Sequence, residues 1–130
     1  MKIEHVALLV EDPVEVVRWY ERHLGMRIAR AGGAPSFTHF LADSDGTVLL
    51  EVYRNDRLKV PDYRAMDPLL LHVAFATDRV DEERARLLQA GATAAGEVEV
   101  TPLGDRVATL RDPWGLAIQL AQRRQPMLAR

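Results

Sequence analysis

The first residues of the chain, MKIEHVALLV, are mostly hydrophobic and are typical of a β-strand, in which successive side chains point to opposite faces. The alternation puts Ile3, His5 and Ala7 on one face of this strand. Residues 12–25 then follow a helical pattern that begins with an N-cap aspartate and a proline and ends at a glycine. Three more strands are predicted around residues 27–30, within residues 36–42 and within residues 47–53.

The second half of the chain repeats this order of elements. The repeated strand, helix and three strands are predicted within residues 69–77, 78–91, 96–102, 105–112 and 116–122. The spacing supports the repeat, because 46 residues separate His5 from Glu51 and 47 separate His72 from Gln119. We therefore predict an α+β fold of two tandem βαβββ modules, with curved, cup-like mixed sheets around a central cavity.

A polar, proline-containing stretch separates the two repeats and is typical of a linker. A chain of 130 residues is long enough for one domain with a hydrophobic core. The predicted organisation is a single domain over residues 1–130, with module 1 at about 1–54, the linker at about 55–68, module 2 at about 69–123 and a C-terminal tail at 124–130.

Composition and charge exclude some classes of function but do not identify the function. The formal net charge is -2 and there is no long run of basic residues, so we expect no nucleic-acid partner. Cysteine is absent, which excludes disulfides, thiolate metal ligands and a cysteine nucleophile. The first residues lack both a signal-peptide pattern and the length of a membrane span. We expect a cytoplasmic protein with no membrane partner.

Four polar residues occupy equivalent positions in the two modules. His5 and His72 lie on the first predicted strand of each module, while Glu51 and Gln119 lie on the last. Each residue taken alone also fits a solvated or hydrogen-bonded strand position. Taken together, two imidazoles and a carboxylate fit a site for zinc, nickel, iron, cobalt or manganese that leaves positions open for water or substrate.

Two stretches carry a resemblance to a known superfamily. The opening IEHVALLVEDPVEVVRWYERHLGM and the closing LRDPWGLAIQL resemble those of the vicinal oxygen chelate superfamily, which includes glyoxalase I, bleomycin-binding proteins, methylmalonyl-CoA epimerases and extradiol dioxygenases. The resemblance covers nearly the whole chain. It implies that the superfamily's metal positions fall on His5, Glu51, His72 and Gln119. Gln119 departs from the glutamate that most metal-binding members have.

The resemblance implies a divalent-metal-dependent lyase or isomerase, similar to glyoxalase I (lactoylglutathione lyase), that acts on a metal-chelating small molecule. Glu51 is then the one carboxylate among the four ligands that can act as the catalytic base. A single base fits a one-base proton shuttle better than two-base epimerisation. Glutathione dependence does not follow, because the segment around residues 31–36 offers no recognisable site for a thiol conjugate.

Alternatives within the superfamily stay open. Members of the bleomycin-resistance type bind small molecules, including antibiotics, without metal chemistry. Gln119 keeps that alternative open, whereas His5, Glu51 and His72 argue against it. An extradiol dioxygenase-type oxygenase has the same ligand types, but such enzymes are generally longer. A fosfomycin-type transferase would need a glutamate in the place of Gln119.

The sequence also gives expectations for the substrate contacts and for the oligomeric state. Candidate contacts with a small-molecule substrate are His39, Tyr53, Arg54 and Trp114. Arg54 suits an anionic group, and Trp114 lies in a predicted turn that could line the mouth of a pocket. The alternation leaves His39 open between facing the cavity and packing. Since the superfamily commonly forms homodimers, the resemblance also implies a homodimer.

Overall fold

The computed structural model describes residues 1–128, which fall into two compact units, one of residues Met1–Pro61 and a second that begins at Asp62. The elements in chain order are β1 (His5–Leu9), α1 (Pro13–Leu24), β2 (Arg27–Ala31), β3 (His39–Ala42), β4 (Leu49–Tyr53), β5 (Val73–Ala76), α2 (Val80–Gln89), β6 (Thr93–Ala94), β7 (Glu99–Val100), β8 (Arg106–Arg111) and β9 (Ala117–Gln122). One helix and one mixed sheet in each unit confirm the predicted α+β class. The single-domain organisation stays a prediction.

The sheet of the first unit has the strand order β1-β4-β3-β2. β1 runs parallel to β4, whereas β3 is antiparallel to both β4 and β2. Ala7 on β1 and Phe40 on β3 are both register partners of Glu51 on β4. Because partners across a ladder point to the same side and alternate residues share a face, the face that carries Glu51 also carries Phe40 and His5.

The opposite face of this sheet packs against α1. Leu8, Leu50 and Val52 are buried there, together with Val16 and Tyr20 of the helix. Complete burial of such a side chain contributes about 1.5–3 kcal/mol relative to leaving it in water. The apolar half of the strand alternation therefore supplies the core of the first unit, and the polar half is left for other contacts.

Helix α1 has the ends that the sequence predicts. The Asp12 carboxylate accepts a hydrogen bond from the backbone N–H of Glu15 at 3.2 Å, and Pro13 occupies the first turn. Gly25 ends the helix in the left-handed conformation, with φ of 67°, which costs a glycine nothing. These caps hold the helix at the length that covers the sheet.

The sheet of the second unit repeats the arrangement, with the strand order β5-β9-β8-β6 and β7 also paired to β8. β5 runs parallel to β9, and β8 is antiparallel to β9. Ala74 and Thr109 are the register partners of Gln119, so these three residues share one face. Ile118 and Leu120 point to the other face, where they are buried against α2.

Helix α2 begins without a side-chain cap of its own. Instead, the Gln122 side chain of β9 accepts a hydrogen bond from the backbone N–H of Val80 at 3.2 Å. Arg106 on β8 forms two hydrogen bonds with Asp81, of 2.6 and 3.0 Å, and holds the pKa of that carboxyl below its usual range. Strand residues thus fasten the first turn of the helix. No helix within residues 1–128 has the length and apolar character needed to cross a membrane.

The strand predicted over residues 69–77 is shorter in the structure and begins at Val73. The chain turns just before it, since the Asp67 side chain accepts a hydrogen bond from the backbone N–H of Leu69 at 2.9 Å. The backbone carbonyl of Asp67 accepts a second hydrogen bond from Leu70 at 2.9 Å. His72 therefore lies immediately before the ladder rather than within it.

The strand predicted within residues 96–102 is also shorter than expected. Only Glu99–Val100 pairs there, and a second short strand, Thr93–Ala94, precedes it on the same side of β8. Gly96 lies between the two strands with φ of 95°, a conformation that interrupts an extended ladder. The predicted strand is thus shortened to two residues, and a short strand that the sequence did not predict lies before it.

Replacing Asp12 with alanine should lower the free energy of unfolding by about 1 kcal/mol, because the Glu15 N–H loses its capping acceptor. Urea denaturation followed by circular dichroism measures this change. Asp12→Asn is the matched control, since it keeps an oxygen acceptor and should lose much less stability. Equal midpoints for wild type and Asp12→Ala would show that the cap contributes nothing.

Candidate functional site

The His5 imidazole and the Glu51 carboxylate lie side by side on the face of the first sheet that points away from α1. His5 Nε2 is 3.3 Å from Glu51 Oε2. The parallel register produces this contact, because Glu51 is opposite Ala7 and His5 is two residues away on the same face. The Phe40 ring meets the imidazole edge-on, with 5.5 Å between ring centroids. The His5 side chain is 36% exposed and that of Glu51 22% exposed, so solutes can reach both.

Glu4 contacts the other nitrogen of the same ring. His5 Nδ1 donates a hydrogen bond to Glu4 Oε2. This bond is the main cause of a raised pKa of His5; partial burial opposes it, and the charges of Glu4 and Glu51 add to it. The attraction between the imidazolium and these carboxylates is therefore fully present below the ordinary pKa of histidine. It is lost as the pH rises through the raised pKa.

The separation between His5 Nε2 and Glu51 Oε2 restricts what can lie between them. When Nδ1 holds the only ring proton, Nε2 turns a lone pair towards the carboxylate. Two lone pairs at this separation repel unless a proton or a cation lies between them. Two ligand atoms that are each about 2.1 Å from one cation lie roughly 3.0–3.4 Å apart. The observed 3.3 Å fits that requirement.

The ring of His72 is oriented in the same sense as that of His5. Its Nδ1 lies 2.7 Å from the backbone carbonyl of Pro68. A carbonyl oxygen only accepts hydrogen bonds, so Nδ1 must carry the proton and donate it. The neutral ring then has its lone pair on Nε2. Outer hydrogen bonds of this kind select the tautomer in which a histidine binds a metal ion.

The amide of Gln119 is oriented by a neighbour across the sheet. Gln119 Nε2 donates to Thr109 Oγ1 at 3.4 Å, a long hydrogen bond between register partners on β9 and β8. The amide oxygen Oε1 accepts no hydrogen bond from the part of the chain that the structure describes. Ala74 is the other register partner of Gln119, and His72 is two residues before it. The second unit therefore offers one imidazole nitrogen and one neutral oxygen as donors.

Two of the four predicted ligands lie in each unit. The structure brings His5 into contact with Glu51, and each has the donor atom that zinc, nickel, iron, cobalt or manganese accepts. Within residues 1–128, no group of three or more His, Cys, Asp or Glu side chains is positioned to hold a metal ion. The contact between His5 and Glu51 supplies two of the four predicted ligands, and two ligands do not complete a site.

The predicted substrate contacts lie in different surroundings. Tyr53 and Arg54 line a cavity of about 400 Å³ in the first unit. His39 is buried on the α1 side of its sheet, since its register partner is Val52 rather than Glu51, and it donates from Nδ1 to the Phe37 carbonyl at 2.6 Å.

The fourth predicted contact, Trp114, lies in the turn between β8 and β9. Its backbone N–H donates to the Asp112 carboxylate at 2.9 Å. Asp112 is buried and also accepts a hydrogen bond from the N–H of Leu116 at 3.0 Å. The aspartate of this DPWG turn therefore has a structural role, which is to hold the turn that leads into the strand of Gln119.

The sequence did not predict two residues that orient the candidate ligands. Glu4 is adjacent to His5, but strict alternation assigns it to the other face. β1 begins only at His5, so the ladder does not constrain the Glu4 side chain, and it reaches the His5 ring. Thr109 is recognised only from the β8–β9 register, because 10 residues separate it from Gln119.

The chain belongs to the glyoxalase/bleomycin resistance protein/dioxygenase superfamily, whose family model matches residues 2–120. The match covers both units and all four candidate ligands. It confirms the superfamily that the opening and closing stretches of the sequence predict.

Solved structures that are similar to this chain share its fold. A glyoxalase family protein from Bacillus cereus has a TM-score of 0.73 at 21% identity, over 94% of this chain and 92% of that one. A superfamily enzyme from Burkholderia phytofirmans PsJN has a TM-score of 0.76 at 16% identity, over 94% and 98% of the two chains. TnmS3, an antibiotic binding protein from Streptomyces sp. CB03234, has a TM-score of 0.73 at 22% identity, over 94% and 95%. No curated protein matches the sequence.

Replacing Glu4 with glutamine should lower the pKa of His5 in the metal-free protein, because the largest cause of its elevation is removed. An NMR titration of the His5 ring resonances measures the change. Glu21→Gln is the matched control, since it removes an exposed carboxylate that does not contribute to this pKa. An unchanged His5 titration in Glu4→Gln would contradict the assigned contact.

Proposed function

We propose that this protein is a divalent-metal-dependent lyase or isomerase of the superfamily, acting on a small molecule that chelates the metal through two oxygens. The orientation of the His5 ring beside Glu51 carries the proposal, because Nε2 and Oε2 are at the separation that two ligands of one cation have. The ligands would be His5, Glu51, His72 and Gln119. The bound cation, one of zinc, nickel, iron, cobalt and manganese, would supply positive charge to a substrate oxyanion.

The outer hydrogen bonds of the ligands support this assignment. Both histidines donate from Nδ1, His5 to Glu4 and His72 to the Pro68 carbonyl, and thus keep Nε2 for a cation. Gln119 donates from its amide nitrogen and keeps its oxygen. In each of these three residues, the atom that would bind a metal ion therefore accepts no hydrogen bond from the described part of the chain.

The ligand set has a definite charge. Two neutral imidazoles, one carboxylate and one amide leave a divalent ion with a net charge of one positive, where a second glutamate would cancel it. A positive centre stabilises an oxyanion more strongly. It also binds the metal less tightly, because an amide oxygen is a weaker ligand than a carboxylate. In the proposed site, Gln119 would therefore weaken metal binding and strengthen the stabilisation of the oxyanion.

Glu51 is the proposed base. It is the one carboxylate among the four ligands, and its 22% exposure leaves it accessible to a substrate carbon acid. A carboxylate that removes a proton and returns it to a neighbouring atom of the same substrate carries out a one-base isomerisation. No second carboxylate is required on the opposite side of the carbon.

We further propose that the protein works as a homodimer. Each unit supplies only two of the proposed ligands, and exposed apolar side chains lie close in sequence to both histidines. Ile3, 67% exposed, precedes His5 by two residues, and Leu70, 78% exposed, precedes His72 by two. A second copy of the chain would remove such surface from water.

A second candidate function is metal-free binding of a small molecule such as an antibiotic. The similarity to TnmS3, an antibiotic binding protein, favours it. The cavity beside Tyr53 and Arg54 favours it as well, because small-molecule sites are concave and partly apolar. This candidate requires no role for the donor pairs, so metal binding distinguishes the two functions.

Purified without chelator and loaded with each of the five metals, the protein should hold one cation per chain in a two-chain assembly. Native mass spectrometry counts both. His72→Ala should lose the cation while its circular dichroism spectrum stays that of wild type. Gln119→Glu should retain the metal about tenfold more strongly, because it adds one negative charge to the ligands.

The matched control is Gln89→Glu, the same chemical change on the exposed surface of α2. It should leave metal retention unchanged. Failure of all five metals to bind would favour the metal-free binding function instead. Full retention by His72→Ala would show that His72 is not a ligand and would contradict the proposed ligand set.

Glu51→Gln should slow proton exchange by at least about a hundredfold, because an amide cannot act as a base. Metal-loaded protein is incubated in D₂O with a panel of α-hydroxy carbonyl compounds, and ¹H NMR follows loss of the exchangeable C–H signal. Metal analysis of the variant separates loss of the base from loss of the cation. Glu99→Gln on β7 is the control, and full exchange by Glu51→Gln would disprove the proposed role.

A further inference from the structure

The cavity of the first unit lies at the end of β4, just beyond Glu51. It is lined by residues 53–57 together with Pro35 and Ser36, and its volume of about 400 Å³ falls in the range of small-molecule sites. The backbone N–H of Arg54 donates to the Ser36 carbonyl at 3.0 Å and so joins the two sides of the cavity. The cavity is therefore built from two segments held together by a backbone hydrogen bond.

The turn that forms one side of the cavity is internally hydrogen-bonded. The Asn55 side chain accepts a hydrogen bond from the backbone N–H of Arg57 at 3.0 Å. The Asn55 carbonyl accepts another from the N–H of Leu58 at 3.0 Å. These bonds fix the backbone from which the charged side chains project.

The ionised side chains of the lining are two guanidinium groups and one carboxylate, so the cavity carries a net charge of one positive. Arg54 is held in place by Asp56, at 2.9 Å, and its guanidinium carbon lies 6.0 Å from the centre of the Phe37 ring. Arg57 is exposed, and its guanidinium forms no ion pair within the described residues. One of the two cations is thus oriented and the other is available.

Besides these charged groups, the cavity has hydroxyl groups that can donate hydrogen bonds. The Ser36 hydroxyl accepts a hydrogen bond from Thr38 Oγ1 at 2.9 Å, which leaves its own proton for a ligand. The Tyr53 phenol makes no hydrogen bond within residues 1–128. Guanidinium and hydroxyl donors together suit carboxylate and phosphate oxygens, while the Tyr53 and Pro35 rings offer apolar surface.

We propose that this cavity binds the carboxylate or phosphate group of a small molecule, with the Arg57 guanidinium as the main charged contact and the apolar part of the ligand against Tyr53. The proposal depends on residues of the first unit alone. It requires neither a metal ion nor His72 and Gln119, so it can hold or fail independently of the metal-dependent function.

Three aromatic probes of similar size test the proposal on the full-length protein, with and without a chelator. Benzoate supplies a carboxylate, phenyl phosphate a phosphate, and benzyl alcohol no charge. In ¹H–¹⁵N NMR titrations the anionic probes should shift the backbone amides of residues 53–57. The neutral probe should bind about tenfold more weakly or worse. The tighter of the two anions then identifies the ligand group.

Variants that lower or raise the positive charge of the cavity provide a further test. Arg57→Gln removes the available cation and should weaken anion binding about five- to tenfold. Asp56→Asn releases Arg54 and raises the charge of the cavity, so it should strengthen binding by a similar factor. Arg18→Gln, an exposed arginine of α1 in the same unit, should leave the affinity unchanged.

Several results would overturn the proposal. Equal affinity for benzyl alcohol would show an apolar pocket without anion recognition. Shifts confined to other residues, or equal affinities in wild type, Arg57→Gln and Asp56→Asn, would place anion binding elsewhere. An effect of Arg18→Gln as large as that of Arg57→Gln would indicate a general response to charge.

Discussion

The period-two alternation of side chains on paired strands is the constraint on which both units depend. In each unit the first strand lies parallel to the last. The register places an alanine opposite a candidate ligand, with Ala7 opposite Glu51 and Ala74 opposite Gln119. A shift of one residue would turn every side chain to the other face. The helix holds the register, because it buries only one of the two alternating sets.

Alanine opposite the candidate ligand has a second consequence. Its small side chain leaves space above the ladder, so a histidine two residues away can approach the partner strand, as His5 approaches Glu51 at 3.3 Å. Glu4 then fixes the ring from the other side. An imidazole between two carboxylates is strongly favoured when charged. In the neutral form the ring keeps a lone pair on Nε2 that a cation can accept, so a proton and a metal ion would compete for this nitrogen.

The superfamily includes enzymes and small-molecule binding proteins on one fold, so the distinction must come from the side chains of the open sheet face. In this chain the contact of His5 with Glu51 supports the proposed metal chemistry, and Gln119 makes the proposed ligand set less negative. The cavity beside Arg54 and Arg57 supplies positive charge that does not depend on a metal ion. The two features together fit a ligand that carries its own negative charge.

The sequence by itself determined the class of fold and both helices with the caps of α1, because periodicity and the internal repeat are local or directly countable. It singled out His5 and Glu51 as candidate ligands, but their contact depends on the register between β1 and β4. It also pointed to Tyr53 and Arg54, although not to the cavity that they line. Only the tertiary structure decided the roles of Glu4 and Thr109, the burial of His39 towards α1 and the position of His72 before its strand. These depend on where a ladder begins and which residues face each other across it, and both are set by contacts between segments distant in the chain.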